Sequence, residues 1–296
     1  MLLPGEAPLK DGECPSPSQS QRAGESGAEL LSPSIQRTVG EQMAAYELKF
    51  LIHERVAQLV ESWAAGAMQR DAFADLKHGG AYQTTTLYLD TPKRDVFHRS
   101  KGFRSSKFRL RRYGSENLVY LERKTRRGDR VSKRRCDVPM CEMAALANQE
   151  VAAAWPGAWF HDRVAKFPLR PSCRLTYDRT AFVKMTEDGP LRMTLDRHIR
   201  GLMAQEWDLT PLDAGHNILE DHVVCEFKFR GSMPGLFKQV IHTLQLEAGS
   251  VSKYRRMMLA SGLTIDTSAT DDLAPSGPES NHDGRTSGPS EDRLHA

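Results

Sequence analysis

Apolar and polar positions alternate through most of the chain between residues 46 and 230, and the polar member is often charged. Eight runs carry the pattern: "YELKFLI" (46–52), "TTTLYLDTP" (84–92), "KFRLRRY" (107–113), "LVYLERKT" (118–125), "RVSKRRCDVPM" (130–140), "SCRLTYDRTAFV" (172–183), "LRMTLDRHI" (191–199) and "HVVCEFKFR" (222–230). Alternation with period two places successive side chains on opposite faces, so each run predicts a strand. "GSEN" (114–117) and "KMTEDGP" (184–190) each predict a hairpin connection. Three stretches read as helices: "HERVAQLVESWAAG" (53–66) ending at Gly66, "CEMAALANQEVAAAW" (141–155), and "PGLFKQVIHTLQLEAG" (234–249) opening on proline. The sum is an antiparallel α+β pattern with about eight strands.

The faces sort by chemistry. Lys107, Arg109 and Arg111 share one side of their strand, opposite Phe108 and Leu110. Glu122, Lys124 and Arg126 share a side, as do Glu47 and Lys49, Tyr177 and Arg179, and Arg192, Thr194 and Asp196. Glu226 and Lys228 oppose Cys225, Phe227 and Phe229. An ordinary half-exposed sheet gives such alternation too. Its recurrence on six strands favours a sheet that closes on itself, an eight-stranded antiparallel β-barrel with flanking helices and an ionic interior. Bare cations crowded together repel, so a polyanion threading the lumen is the expected neutraliser.

Composition sharpens this. The 296 residues carry a formal charge of only +3. Residues 1–40 and 264–296, rich in Ser, Pro, Gly and acidic groups, hold five Lys/Arg against twelve Asp/Glu. Such segments bury too little apolar surface to offset chain entropy, and both read as disordered tails. The domain at 41–263 then carries 36 basic and 26 acidic groups, a net of +10, which points to an anionic partner. Five cysteines without a CxxC pair fit neither a zinc site nor a disulfide framework. No apolar run approaches about 20 residues, and the first residues lack a signal-peptide pattern, so a cytoplasmic chain without a membrane segment is expected.

In order, "YELKF", "YLDTP", "KFRLRRYG", "LERKTRR", "LTYDRTAF", "LRMTLD", "CEFKF" and "GSVSKYRR" resemble the polyphosphate polymerase domain of the vacuolar transporter chaperone family, within the triphosphate tunnel metalloenzymes. The resemblance covers residues 44–260 and implies a tunnel that binds triphosphate and a divalent metal, Mn²⁺ or Mg²⁺. It implies ATP and polyphosphate, or other triphosphates, as partners; the few aromatics on the basic strands argue against a nucleic-acid partner. Carried over by motif, Arg109, Arg111, Lys124 and Arg179 would be catalytic. Lys49, Arg126, Tyr177, Lys228, Ser252 and Lys253 would bind substrate, and Glu226 and Glu47 would serve the metal. Two positions depart from the pattern. Ala45 replaces the first glutamate of the hydrolases' ExExK, which favours the polymerase branch, and Arg126 stands where a histidine is expected.

The implied activity is transfer of the ATP γ-phosphate to a growing polyphosphate chain. The alternatives are a tunnel triphosphatase and a non-catalytic polyphosphate-binding module. No GxxxxGK[ST] loop is present, which argues against a P-loop nucleotide site. "KTRRGDRVSKRR" (124–135) reads as a solvated basic loop and tunnel rim. Lys253, Arg255 and Arg256 have a plainer reading as a solvated helix C-terminus.

Overall fold

The computed structural model describes residues 41–74, 79–127 and 130–265. The two stretches read as tails lie outside the described residues, except for 264 and 265.

Ten strands form one sheet: β1 (Glu41–His53), β2 (Gln69–Arg70), β3 (Ala81–Asp90), β4 (Ser106–Tyr113), β5 (Leu118–Arg127), β6 (Arg130–Pro139), β7 (Arg170–Thr186), β8 (Gly189–Met203), β9 (His216–Asn217) and β10 (His222–Phe229). Eight of them run β7-β3-β4-β5-β6-β1-β10-β8, and β8 pairs back onto β7, so the sheet closes. Every pairing is antiparallel. The two-residue strands β2 and β9 hang on β7 and β8. Closure leaves no long edge to pair with another chain.

Both expected hairpins form. Gly114 opens the β4–β5 turn at φ +50, and Gly189 closes the β7–β8 turn at φ +108, where a side chain would be strained. Farther along that pair, the register shifts between Thr176 and Asp178, facing His198 at φ +49. Beyond the irregularity Arg179 stands opposite Asp196. The local kink sets an ion pair.

Helices cover the outside. On one flank α1 (Glu54–Ala67) and α4 (Gly235–Thr243) bury Val60, Ala64, Phe237 and Val240 against Phe50, Leu195, Cys225 and Phe227 of β1, β8 and β10. On the other, α2 (Asp95–His98), α3 (Ala158–Lys166) and α5 (Lys253–Ala260) pack Phe97, Phe160 and Met257 against Leu87, Leu110, Leu121 and Leu175. Each fully buried side chain of this size contributes about 1.5–3 kcal/mol of transfer free energy. The apolar sides of these strands are thereby used outside the barrel, and their charged sides are left for the lumen. Among the described residues no helix is long and apolar enough to cross a membrane.

Several helix bounds differ from expectation. α1 passes through Gly66 to Ala67, because tertiary packing outweighs the small cost of one helical glycine. The stretch from Cys141 forms only a 3-10 helix, Met140–Ala147. Met143 and Leu146, three apart, are the buried pair there, and the remaining alanines have no apolar stripe to bury. α4 stops at Thr243. The segment read as a solvated loop at 124–135 is instead the end of β5 and the start of β6, paired from Lys124↔Lys133 to Arg127↔Arg130.

Candidate functional site

The lumen collects cations from seven strands and one helix. A narrow chamber of about 40 Å³ is lined by Lys49, Lys107, Arg109, Arg111, Lys124, Arg179, Lys228 and Lys253, with Glu226, Tyr88, Val251 and Ser252. It continues into a chamber of about 290 Å³ that shares Arg109, Arg111, Lys124, Arg179 and Lys228 and adds Lys133, Arg135 and Arg192. Glu47, Tyr82, Tyr113 and Phe73 complete this second wall. Strand parity contributes to the gathering: Lys107, Arg109 and Arg111 on β4, and Lys133 and Arg135 on β6, follow one another at two-residue spacing and so share a face.

Carboxylates are set among them. Asp196, fully buried, accepts both Nε and NH2 of Arg179 at 2.6 and 2.7 Å and pairs with Lys253 Nζ at 2.6 Å. Glu122, also fully buried, takes Arg109 Nε at 2.7 Å, with Lys133 at 3.4 Å and Arg135 at 3.7 Å. Glu47 pairs with Lys49 and Lys124, each at 2.7 Å. Glu226 lies 3.3 Å from both Lys49 and Lys228 and 4.0 Å from Lys253. Asp71 pairs with Arg192. Eleven cations thus face five carboxylates, a surplus of six positive charges when all are ionised. The lumen is partly neutralised from within by carboxylates on the same charged faces.

Lys107 and Arg111 hold hydroxyls: Lys107 Nζ donates to Ser252 Oγ at 2.8 Å, and Arg111 Nε to Thr86 Oγ1 at 3.2 Å. Ser252 also caps α5, accepting from the Arg255 N–H at 3.3 Å. Tyr177 is buried, with Arg179 and Lys253 5.4 and 5.1 Å from its ring centroid. Its hydroxyl has no hydrogen-bond partner among the described residues. Arg126 lies on the same strand face as Lys124, is exposed near the end of β5, and is not among the residues lining either chamber. Lys253 begins α5 rather than ending it, so the reading of a solvated helix C-terminus is wrong. The structure also brings in Lys107, Lys133, Arg135 and Arg192, with Glu122 and Asp196 as counterions. Of these, Lys133 and Arg135 had the least signal, being hidden in a run that is basic on both faces.

The field inside is steep. Burial opposes the ionised form of Glu226, yet Lys49, Lys228 and Lys253 hold its carboxyl well below the usual range. Burial likewise opposes Glu122, which Arg109 and Lys133 outweigh. Lys49 is raised, since Glu226 and Glu47 overcome its burial. Burial pulls Lys107 well down, with Lys49, Lys124 and Arg109 adding to it. Lys124 is drawn down to about 7, first by burial and then by Lys49.

Anion binding is therefore expected to carry a proton with it. Below about pH 7 Lys124 is charged with or without ligand, and its contribution to affinity is flat. Above that pH the empty tunnel leaves Lys124 partly neutral, and a bound polyanion raises its pKa again. Affinity for sulfate, a dianion across this whole range, is expected to fall as pH rises through the window. Calorimetry at pH 8 in two buffers of different ionisation enthalpy reads the uptake, and equal heats in both would exclude it.

A larger cavity of about 860 Å³ lies outside the tunnel, between the start of β3, the β4–β5 turn and the β7–β8 face. It contains none of the expected site residues but shares Phe73, Tyr82 and Tyr113 with the tunnel wall.

Solved structures similar to this chain include the PH1819 protein of Pyrococcus horikoshii OT3, at 13% identity and TM-score 0.41, covering 73% of this chain and 99% of that one. A candidate adenylate cyclase of Bacillus halodurans matches at 13% identity and TM-score 0.44, covering 72% and 95%. HpAC1 of Hippeastrum, a candidate adenylyl cyclase with a dominant triphosphatase activity, matches at 14% and 0.43, covering 75% and 98%. No curated protein matches significantly. The family model described as the VTC domain matches residues 44–261, well over half of the sequence and the whole of the closed barrel beyond the first residues of β1, and the chain belongs to that family.

Proposed function

We propose that the protein is a metal-dependent polyphosphate polymerase that moves the γ-phosphate of ATP onto a polyphosphate chain inside the tunnel. The observation that carries this reading is the closed lumen with its surplus of cations. An extended phosphate string is linear, polyanionic and rich in acceptor oxygens, and it matches that lining in charge.

Phosphoryl transfer proceeds through a loose transition state, so positioning and charge stabilisation dominate. Arg109, Arg111 and Arg179 are suited to clamp the triphosphate, since a guanidinium is always charged and presents paired donors. Lys49, Lys124, Lys228 and Lys253 add point charges. A terminal oxygen of the acceptor chain attacks the γ-phosphorus, the bond to the β-γ bridging oxygen breaks, and ADP departs with its electron pair. The attacking oxygen is already anionic and needs no general base.

The donor set fits Mg²⁺ or Mn²⁺ in a limited way. Among the described residues no group of three or more His, Cys, Asp or Glu stands together to hold a metal. Glu47 and Glu226, which share Lys49, supply the one or two carboxylates such ions take alongside phosphate oxygens and water. A cation held there would neutralise charge on the transferring phosphate. Ala45, in place of a further glutamate, lines the same wall and keeps that donor set small.

Incubation with ATP and Mn²⁺ is expected to give polyphosphate ladders on a gel. Phosphate release without chains would make the protein a triphosphatase, and neither product from folded protein would leave it a binding module. Arg109→Ala is expected to weaken tripolyphosphate binding by about tenfold to a hundredfold. Unchanged affinity would remove Arg109 from the site.

A further inference from the structure

Lys107 is set apart from the other lysines of the lumen. Lys49, Lys124, Lys133, Lys228 and Lys253 each pair with a carboxylate, at 2.6 to 3.4 Å. Lys107 meets a hydroxyl instead, its Nζ lying 2.8 Å from Ser252 Oγ. Burial comes first among the influences on it, followed by Lys49, Lys124, Arg109 and Arg99, and every one of these opposes its charge. The neutral amine that results is a base.

Ser252 is held with its oxygen in place for reaction. It caps α5, with Oγ accepting the Arg255 N–H at 3.3 Å, and it lines the narrow chamber beside Arg109, Arg111 and Lys253. It is half-buried rather than sealed. A neutral lysine at this distance can take the hydroxyl proton, as in the Ser–Lys pairs that activate a serine. The backbone N–H at the same oxygen, and the positive end of α5, favour the negative charge that develops there. Thr86 meets Arg111 in a similar contact at 3.2 Å, but a guanidinium does not give up its proton and cannot act as a base.

We propose that Ser252 accepts a phosphoryl group from the bound triphosphate, with Lys107 as its general base, and so supplies a first acceptor when no polyphosphate chain occupies the tunnel. This rests on the phosphoryl transfer proposed above. A serine hydroxyl, unlike the terminal oxygen of a chain, must lose a proton to attack. Ser252 Oγ bonds to the γ-phosphorus of ATP, its proton passes to Lys107 Nζ, and the bond to the β-γ bridging oxygen breaks. ADP leaves with the electron pair. The phosphoserine carries a charge of about −1.5 to −2 at neutral pH, which matches the cations of the chamber.

The full chain is incubated with [γ-³²P]ATP and Mn²⁺ without added polyphosphate, then denatured and digested. Label is expected on the peptide that holds Ser252, stable to acid and lost in alkali, as a phosphoserine is. Ser252→Ala should abolish it, and so should Ser252→Asn, which keeps a side-chain cap for α5. Lys107→Arg retains a cation but offers no base, and initial labelling is expected to slow by about a hundredfold. ADP release without covalent label, label on another residue, or an unchanged labelling rate in Lys107→Arg would overturn the inference and leave the tunnel reaction standing. Folded protein that gives neither label nor ADP would sink the tunnel reaction and this inference together.

Discussion

Glu226→Gln is expected to stop turnover while leaving tripolyphosphate bound. Glu226 sits 3.3 Å from Lys49 and Lys228, and in the proposed reaction it is one of the two carboxylates that would serve a divalent cation. Glutamine keeps the shape and one acceptor oxygen but removes the negative charge. A divalent cation would then be held more weakly, and the charge it would neutralise on the transferred phosphate would be less well compensated. Loss of a single transition-state contact of this kind costs about 10²–10³ in kcat, and a metal-binding carboxylate belongs at the upper end. Binding should move the other way. Removing one anion from the lumen enlarges the positive surplus, so tripolyphosphate affinity should hold or improve. Steady-state ADP release and calorimetry on the same preparation test the split. A kcat within tenfold of the unaltered protein would take Glu226 out of the chemistry.

Asp196→Ala is the largest expected effect on stability. Asp196 is fully buried, holds Arg179 through two hydrogen bonds and pairs with Lys253. Burial opposes its charge, but Arg179 and Lys253 pull its carboxyl down. Taking it away leaves two buried cations facing others, which costs about 3–5 kcal/mol. The midpoint of urea unfolding should fall accordingly. Tripolyphosphate should restore part of the loss, because a ligand at 100 times its Kd stabilises by about 2.7 kcal/mol. A loss under about 1 kcal/mol, with no response to tripolyphosphate, would mean that Asp196 does not hold the clamp.

Much of this was legible before the structure. Alternation in "KFRLRRY" and "LVYLERKT" predicted both strands and their hairpin, and the charged faces of six strands pointed to closure. Lys49, Arg109, Arg111, Lys124, Arg179, Lys228 and Lys253 do meet in one lumen. What escaped was non-local. Lys133 and Arg135 lie in a run where the outward residues, such as Arg134, are also basic, so parity carried no contrast. Arg134 finds its place against the Trp159 ring, 4.3 Å from its centroid, a contact between β6 and α3 that no local pattern shows. Glu122 and Asp196 were placed on the correct faces, but their role as counterions depends on partners 13 and 17 residues away. A packed aromatic cluster joins Phe73, Tyr82 and Tyr113 from three segments, and each alone reads as an ordinary strand or turn aromatic.

The pairing of β1 with β10 has a consequence for how the chain reaches its native state. Tyr46 meets Phe229, and Lys49 meets Glu226. Contacts so distant in sequence must wait for nearly all the intervening polypeptide, and topologies dominated by them acquire structure slowly. During synthesis one side of the first strand has no neighbour until late, a period in which exposed edges favour misassembly.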